Sequence, residues 1–193
     1  MVLNTQMLEE NYLKIKKTKF PDVIILAPKL FKDHRGVFFE SYRKSLFNKN
    51  GINYDFLQDN EVESKKGVLR GLHYQLNQPQ GKLVKVVYGE IFDIVVDIRK
   101  KSPTFGKSLK VRLDSKNHNM IFVPAGYAHG YIVNSDKAIV SYKCTEEYAP
   151  NDQFGIIWND PKLKINWELK NPILSDRDLN WPTLKQQNNL PTF

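Results

Sequence analysis

Between Gly67 and Gln75 the chain reads GVLRGLHYQ, which sets Arg70 and His73 among Val68, Leu69 and Leu72. An apolar, strand-compatible segment has no structural need of a guanidinium and an imidazole three residues apart. Imidazole is the side chain whose unperturbed pKa lies near neutrality, so His73 is a candidate general base. Arg70 stays charged and offers a planar fork of donors suited to a phosphate. A base beside a phosphate anchor points to proton transfer on a phosphorylated substrate. The competing reading is a half-exposed strand whose polar residues meet water.

The pair poses a parity problem. Residues three apart on a regular strand point to opposite faces. A bulge at Gly71 would bring both to one side, and such an irregularity is expected here. Around this segment short strands follow one another. Asp22 to Leu26 is a β-branched run between prolines, and Val37 to Tyr42 places Phe38, Glu40 and Tyr42 on one face. Arg43 to Lys49 reads as a short helix stopped by Gly51. Phe56 to Glu63 is polar but strand-compatible, and its Gln58, Asp59 and Asn60 are candidates to line a cavity. KLVKVVYGE turns at Gly89 into IFDIVVDIR, where Phe92, Ile94, Val96 and Ile98 form one face and Asp93 and Asp97 the other. Tyr131 to Val133 and Ala138 to Cys144 are expected to pair across a turn at Asn134 to Lys137. Beyond Glu146 the chain is rich in Pro, Asn, Asp and Trp, a tail able to wrap the body and contribute site residues.

Composition narrows the partners. The 193 residues are 41% hydrophobic and 12% aromatic, enough for one domain with a sizeable core. No stretch approaches the roughly 18 consecutive apolar residues of a membrane span. The N-terminal segment lacks the apolar block of a signal peptide, so the cytoplasm is the expected location. The lone Cys144 gives no intrachain disulfide framework and no cysteine-based zinc site. The net charge of +8 suits an anionic partner. Its basic residues are scattered, with no nucleic-acid recognition element; Lys14, Lys16, Lys17 and Lys19 read as a solvated arm.

Many short strands with Gly and Pro turns imply an all-β fold. A cupin-type jelly roll, or double-stranded β-helix, with a few short peripheral helices fits best, because its mouth can hold a small ligand. A metal-dependent cupin would carry two histidines one residue apart; here the sequence is His73-Tyr74-Gln75, leaving only His73 and, in PAGYAHG, His129. Two ligands are too few for a metal site, so none is expected.

DHRGVFFESY, QDN, GVLRGLHYQ, QGKLVKVVYGEIFDIVVDIRKKSPTFGK, FVPAGYAHGY, SYKCTEEYAP, WNDPKLKINW and PILSDRD occur in this order. The set resembles the dTDP-4-dehydrorhamnose 3,5-epimerase family from about Thr18 to Leu184. The resemblance implies a single domain over residues 18–184, flanked by an extension (1–17, with a helical turn at Leu8 to Leu13) and a short tail (185–193). It implies a homodimer without cofactor or metal that inverts carbons 3 and 5 of a nucleotide-linked 4-keto-6-deoxyhexose. By position, His73 would be the base, Asp178 its orienting partner, Tyr142 the proton donor on the opposite face, and Lys82 the cation near the keto oxygen. Arg35, Glu40, Gln58, Asp59, Asn60, Arg70 and His129 would line the nucleotide and sugar sites, with Gln153 and Arg177 as further substrate contacts. The chain departs from the family pattern at these last two, where an acidic residue and a lysine are usual. Two rival readings are a 3-epimerase of a related deoxysugar and a non-catalytic cupin that binds a nucleotide or sugar. A metal-dependent oxygenase is a third.

Carbons 3 and 5 both flank the ketone, so deprotonation at either places charge on one oxygen. A single cation can therefore assist both steps. Inversion needs a proton to leave one face and return on the other, which calls for two groups on opposite sides of the ring.

Overall fold

The computed structural model describes residues 12–192. Leu13–Lys17 (β1) and Ile24–Pro28 (β2) pair antiparallel. Phe31–Asp33 (β3) and Gly36–Phe38 (β4) form a separate small hairpin, and Lys44–Lys49 (α1) is a short helix. Eight strands follow: Gln58–Lys65 (β5), Leu69–Gln75 (β6), Lys82–Tyr88 (β7), Glu90–Asp97 (β8), Ser108–Asp114 (β9), Met120–Val123 (β10), Tyr127–Val133 (β11) and Lys137–Cys144 (β12). Gln153–Gly155 (β13) and a single helical turn, Asp176–Leu179 (α2), lie in the tail.

The strands form two antiparallel sheets, ordered β1-β2-β10-β7-β12-β5 and β13-β6-β11-β8-β9. From β5 onward nearly every connection crosses from one sheet to the other, the winding of a jelly roll. This corrects one expectation. Tyr131 to Val133 and Ala138 to Cys144 do not pair: β11 bonds β6 and β8, whereas β12 bonds β5 and β7. The turn at Asn134 to Lys137 is a bridge between sheets, not a hairpin loop. The strand expected over Val37 to Tyr42 ends at Phe38, which leaves Glu40 beyond the sheet.

Three apolar clusters explain why this winding is stable. Val84, Val86, Ile121 and Val140 from the first sheet meet Ile91, Val95, Leu113 and Val133 from the second. Outside the second sheet, Leu72, Ile94, Val96 and Ile132 are covered by Ile156, Leu163, Trp167, Leu184 and Leu190 of the tail. Outside the first, Leu26, Leu83, Met120 and Phe122 pack beneath Leu46, Phe47 and Ile52 of the α1 region. Each fully buried Leu, Ile or Phe contributes about 1.5–3 kcal/mol relative to exposure. Strand β8 is thus buried on both faces, and Asp93 and Asp97 lie inside with no accessible surface. The expected alternation holds, with Ile94, Val96 and Ile98 on one face and the two acids on the other, but both faces are buried.

The ends of the chain differ in part from the expected extension and tail. Lys14, Lys16, Lys17 and Lys19 are exposed, but the first three belong to an edge strand. Lysines on an edge discourage pairing with another sheet. The helical turn expected at Leu8 to Leu13 falls almost wholly outside the described residues; Leu13 itself begins β1. The tail beyond Leu184 is tied down: Gln187 Nε2 donates to the Gly155 carbonyl at 2.9 Å, and the Tyr74 hydroxyl donates to the Asn189 carbonyl at 2.7 Å.

The irregularity expected at Gly71 is present. The β6–β11 register shifts between His129 and Tyr131, and Gly71 has φ +127°. Here the two backbones approach closely. A Cβ at Gly130 would lie 2.6 Å from the Arg70 carbonyl oxygen and 3.0 Å from Gly71 Cα. Gly130→Ala should therefore cost about 1–3 kcal/mol by forcing these strands apart. Urea denaturation checks this, and an unchanged midpoint would contradict the close approach.

Candidate active site

The two sheets enclose a cavity of about 440 Å³. Its walls come from both. Arg70 and His73 project from β6, and His129 and Tyr131 from β11; Lys82 and Val84 come from β7, and Tyr142 from β12. The tail adds Gln153, Ser175, Arg177 and Asp178. A smaller recess of about 250 Å³ shares His73, Lys82 and Tyr142 and adds Gln58 and Asn60 from β5.

Register accounts for these placements. His73 and His129 are direct cross-strand partners, so their side chains leave the same face of the second sheet. On the first sheet Tyr142 is opposite Val84 on one side and Asn60 on the other, and Cys144 is opposite Lys82. Residues two apart share a face, so Lys82, Val84, Tyr142, Asn60 and Val62 all point inward. The same alternation turns Asp59 outward, where it pairs with Lys143 at 2.8 Å. Asp59 is therefore no part of this cavity, contrary to the grouping with Gln58 and Asn60. Arg35 and Glu40 also stand apart. They line a groove on the β3–β4 side, where Arg35 pairs with Asp33 at 2.6 Å and Glu40 with Arg43 at 3.0 Å.

His73 Nε2 lies 2.5 Å from Asp178 Oδ1. Asp178 arrives on α2, whose first turn is capped by Ser175 Oγ accepting the Asp178 N–H at 3.2 Å. Trp181 Nε1 also donates to Oδ1 at 3.3 Å, and the Gly71 N–H to Oδ2 at 3.5 Å. Burial works to raise the Asp178 carboxyl, but the hydrogen bond from His73 and the other donors outweigh it and hold it below the usual range. His73 is lowered as well, which for an imidazole disfavours the charged form. Burial lowers its proton affinity, Asp178 partly opposes this, and Lys82 and His129 add to the lowering. The resting imidazole is neutral, donates Nε2–H to Asp178, and carries its lone pair on Nδ1.

The remaining groups are tuned chiefly by burial. Lys82 is held below the ordinary lysine value by burial, against the opposing influence of Cys144 and Asp93. Among the described residues it forms no ion pair. Burial raises the Tyr142 and Cys144 groups, so both keep their protons near neutrality. Burial pushes the Tyr131 hydroxyl up to about 12. At the mouth, Arg70 Nε donates to Ser64 Oγ at 3.2 Å. Arg177 donates to the Tyr148 hydroxyl at 3.1 Å and to Gln153 Oε1, and the Tyr148 hydroxyl donates to that same Oε1 at 3.1 Å. Among the described residues no group of three or more His, Cys, Asp or Glu is placed to hold a metal ion.

Sequence reasoning missed Asp93, Tyr131 and Tyr148. Asp93 Oδ2 lies 2.8 Å from His129 Nε2. A signal was present: Ile91 and Val95 share strand parity with Asp93, so that face was apolar around the acid and destined for burial. The burial of His73 should place its NMR titration midpoint below 6.5, and Asp178→Asn should lower it further by removing the carboxylate that favours the imidazolium. A midpoint above 6.5 would contradict this electrostatic picture.

Comparison with known proteins identifies the family. Residues 17–186 match the family model described as dTDP-4-dehydrorhamnose 3,5-epimerase. The enzyme of that name from Methanothermobacter thermautotrophicus is 47% identical over 173 residues, 88% of this chain and 94% of the relative. Among solved structures, dTDP-6-deoxy-D-glucose-3,5-epimerase RmlC from Legionella pneumophila, in complex with dTDP-4-keto-L-rhamnose, superposes with TM-score 0.91 at 43% identity, covering 94% of this chain and 98% of that one. ChmJ, a 3'-monoepimerase from Streptomyces bikiniensis in complex with dTDP-quinovose, follows at TM-score 0.85 and 33% identity, covering 91% and 92%. With nearly its whole length matched in sequence and in fold, the chain belongs to the dTDP-4-dehydrorhamnose 3,5-epimerase family.

Proposed function

We propose that this protein inverts carbons 3 and 5 of a dTDP-4-keto-6-deoxyhexose, converting dTDP-4-dehydro-6-deoxy-D-glucose to dTDP-4-dehydro-L-rhamnose for dTDP-rhamnose biosynthesis. The observation that carries this reading is one cavity that receives a neutral, carboxylate-held imidazole from one sheet and a protonated phenol from the other. His73 takes the proton from carbon 3 or 5 through its free nitrogen, and Asp178 stabilises the resulting imidazolium. The electron pair moves onto the keto oxygen, where Lys82 opposes the new charge; a donor of this kind is worth on the order of 3 kcal/mol. Tyr142 then protonates the carbon from the other side. Exchange of both groups with solvent restores the starting protonation before the second carbon reacts. Arg70 and Arg177 stand at the mouth with charge suited to the diphosphate, and Gln58 and Asn60 with amides suited to the nucleotide. The chemistry calls for no cofactor.

Likeness to a 3'-monoepimerase keeps single inversion as the second reading. The higher identity to the 3,5-epimerases favours the double one.

Arg35 and Glu40 fit this reading if they act on a second copy. Their hairpin exposes Phe31, Val37 and Phe38, apolar side chains that water alone leaves unaccounted for. We read the protein as a homodimer whose hairpins reach the neighbouring cavity. No helix among the described residues is long and apolar enough to cross a membrane, and we take the enzyme to work in the cytoplasm.

In deuterated water, solvent label should enter both carbons 3 and 5 of the product, as read by NMR. Label at carbon 3 alone would select the single inversion, and no label the non-catalytic binding protein. His73→Ala and Tyr142→Phe should each lower kcat by roughly 10²- to 10⁴-fold with the fold intact. Sedimentation should give twice the 22.5 kDa chain mass, and a monomer would remove the hairpin's proposed role.

A further inference from the structure

Four buried aspartates allow a comparison. Asp97, Asp152 and Asp160 are nearly or wholly inaccessible, and each is saturated. Asp97 accepts from Arg99, Ser102 and Thr104. Asp152 accepts the Asn77 and Gln78 backbone N–H groups, and Asp160 those of Lys162, Leu163 and Leu184. These three pin loops in place, as buried acids ordinarily do. Asp93, on β8 like Asp97 and equally inaccessible, differs. Its Oδ2 holds His129 at 2.8 Å, and its Oδ1 has no hydrogen-bond partner among the described residues. A carboxylate buried with a single bond costs stability that a structural role does not explain. That bond goes to an imidazole in the cavity wall, opposite His73 in register.

We propose that Asp93 is a positioning residue for the reaction: by accepting the His129 Nε2–H it fixes the tautomer of that ring, so that His129 presents bare Nδ1 to the sugar as a hydrogen-bond acceptor. The site then holds two imidazole–carboxylate pairs with separate duties. His73, backed by Asp178, moves the proton; His129, backed by Asp93, takes a hydrogen bond from a sugar hydroxyl and sets the ring's height between base and phenol. Lys82 completes the arrangement as the cation within reach of Asp93's field, so the buried negative charge that orients one group also favours the ammonium form of the other. The site therefore selects a sugar that offers a hydroxyl donor on the side facing β11. This assignment rests on the epimerase reading above for its kinetic consequence, but not for the tautomer itself.

The test has two arms on the full-length protein. In the wild type, long-range ¹H–¹⁵N correlation of the imidazole nitrogens should show His129 protonated at Nε2 and bare at Nδ1; a protonated Nδ1 overturns the proposal whatever any variant does. In Asp93→Asn, the amide can donate to Nε2 and drive the proton to Nδ1. There kcat for the 4-keto sugar nucleotide should fall about 10- to 100-fold, the range expected when a reacting ring is misplaced by about an ångström. The Kd for dTDP alone should stay within about 3-fold. Folded Asp93→Asn with wild-type kcat, or with dTDP affinity and kcat lost together, would count against a positioning role. If the wild-type protein puts no deuterium into the substrate, the epimerase reading falls, while the His129 spectrum still decides whether Asp93 sets that ring.

Discussion

The contact between His73 and Asp178 holds the site together. A neutral imidazole in a buried position is a competent base only if it is oriented and if its charged form is supported once the proton arrives. In the proposed reaction Asp178 does both through one 2.5 Å hydrogen bond. Such a bond to a charged group is worth about 1.5–3 kcal/mol. The carboxylate is itself held by Trp181, by the Gly71 N–H and by the Ser175 cap. Trp181 can lie there because Gly155 has no side chain: a Cβ would sit 2.5 Å from the indole ring. A chain of close contacts thus runs from β13 through the indole to the carboxylate and the base.

Jelly-roll winding supplies the other requirement, two walls that face each other. His73 and His129 stand on one sheet, Lys82 and Tyr142 on the other, and the ring of a hexose has an obvious place between them. Both sheets are covered on their outer faces, by the tail on one side and the α1 region on the other. That double burial leaves the inner faces as the walls of the cavity. Burial then acts on each group in its own direction: it lowers His73 toward the neutral imidazole and raises Tyr142 so that the phenol keeps its proton, whereas it works against the Lys82 ammonium, which the fields of Cys144 and Asp93 support.

Much of this was legible in the residues themselves. The GVLRGLHYQ stretch marked His73 as the candidate base, and the three-residue spacing of Arg70 and His73 demanded the irregularity found at Gly71. The order of eight sequence blocks carried the fold and the identity of His73, Lys82, Tyr142 and Asp178 as neighbours. What stayed hidden has physical causes. Turn chemistry at Asn134 to Lys137 marks a reversal but not which sheet the next strand joins, since a crossing and a hairpin begin alike. Asp59 was grouped with Gln58 and Asn60 by adjacency, whereas strand alternation sends it to the outer face. Asp93 was left unassigned; it shares its face with Ile91 and Val95, and the residues that bury that face come from the opposite sheet, remote in sequence. Arg35 and Glu40 lie away from the cavity, and a lone chain's sequence does not say on which copy a side chain acts.

Asp178 lies 105 positions beyond the imidazole it serves. The segment that carries it also supplies Ile156, Leu163 and Trp167 to the apolar cover of the second sheet. Sealing the back of that sheet and delivering the carboxylate to its front are therefore one docking event, so that a molecule whose tail has come away loses its cover and its imidazole's partner together.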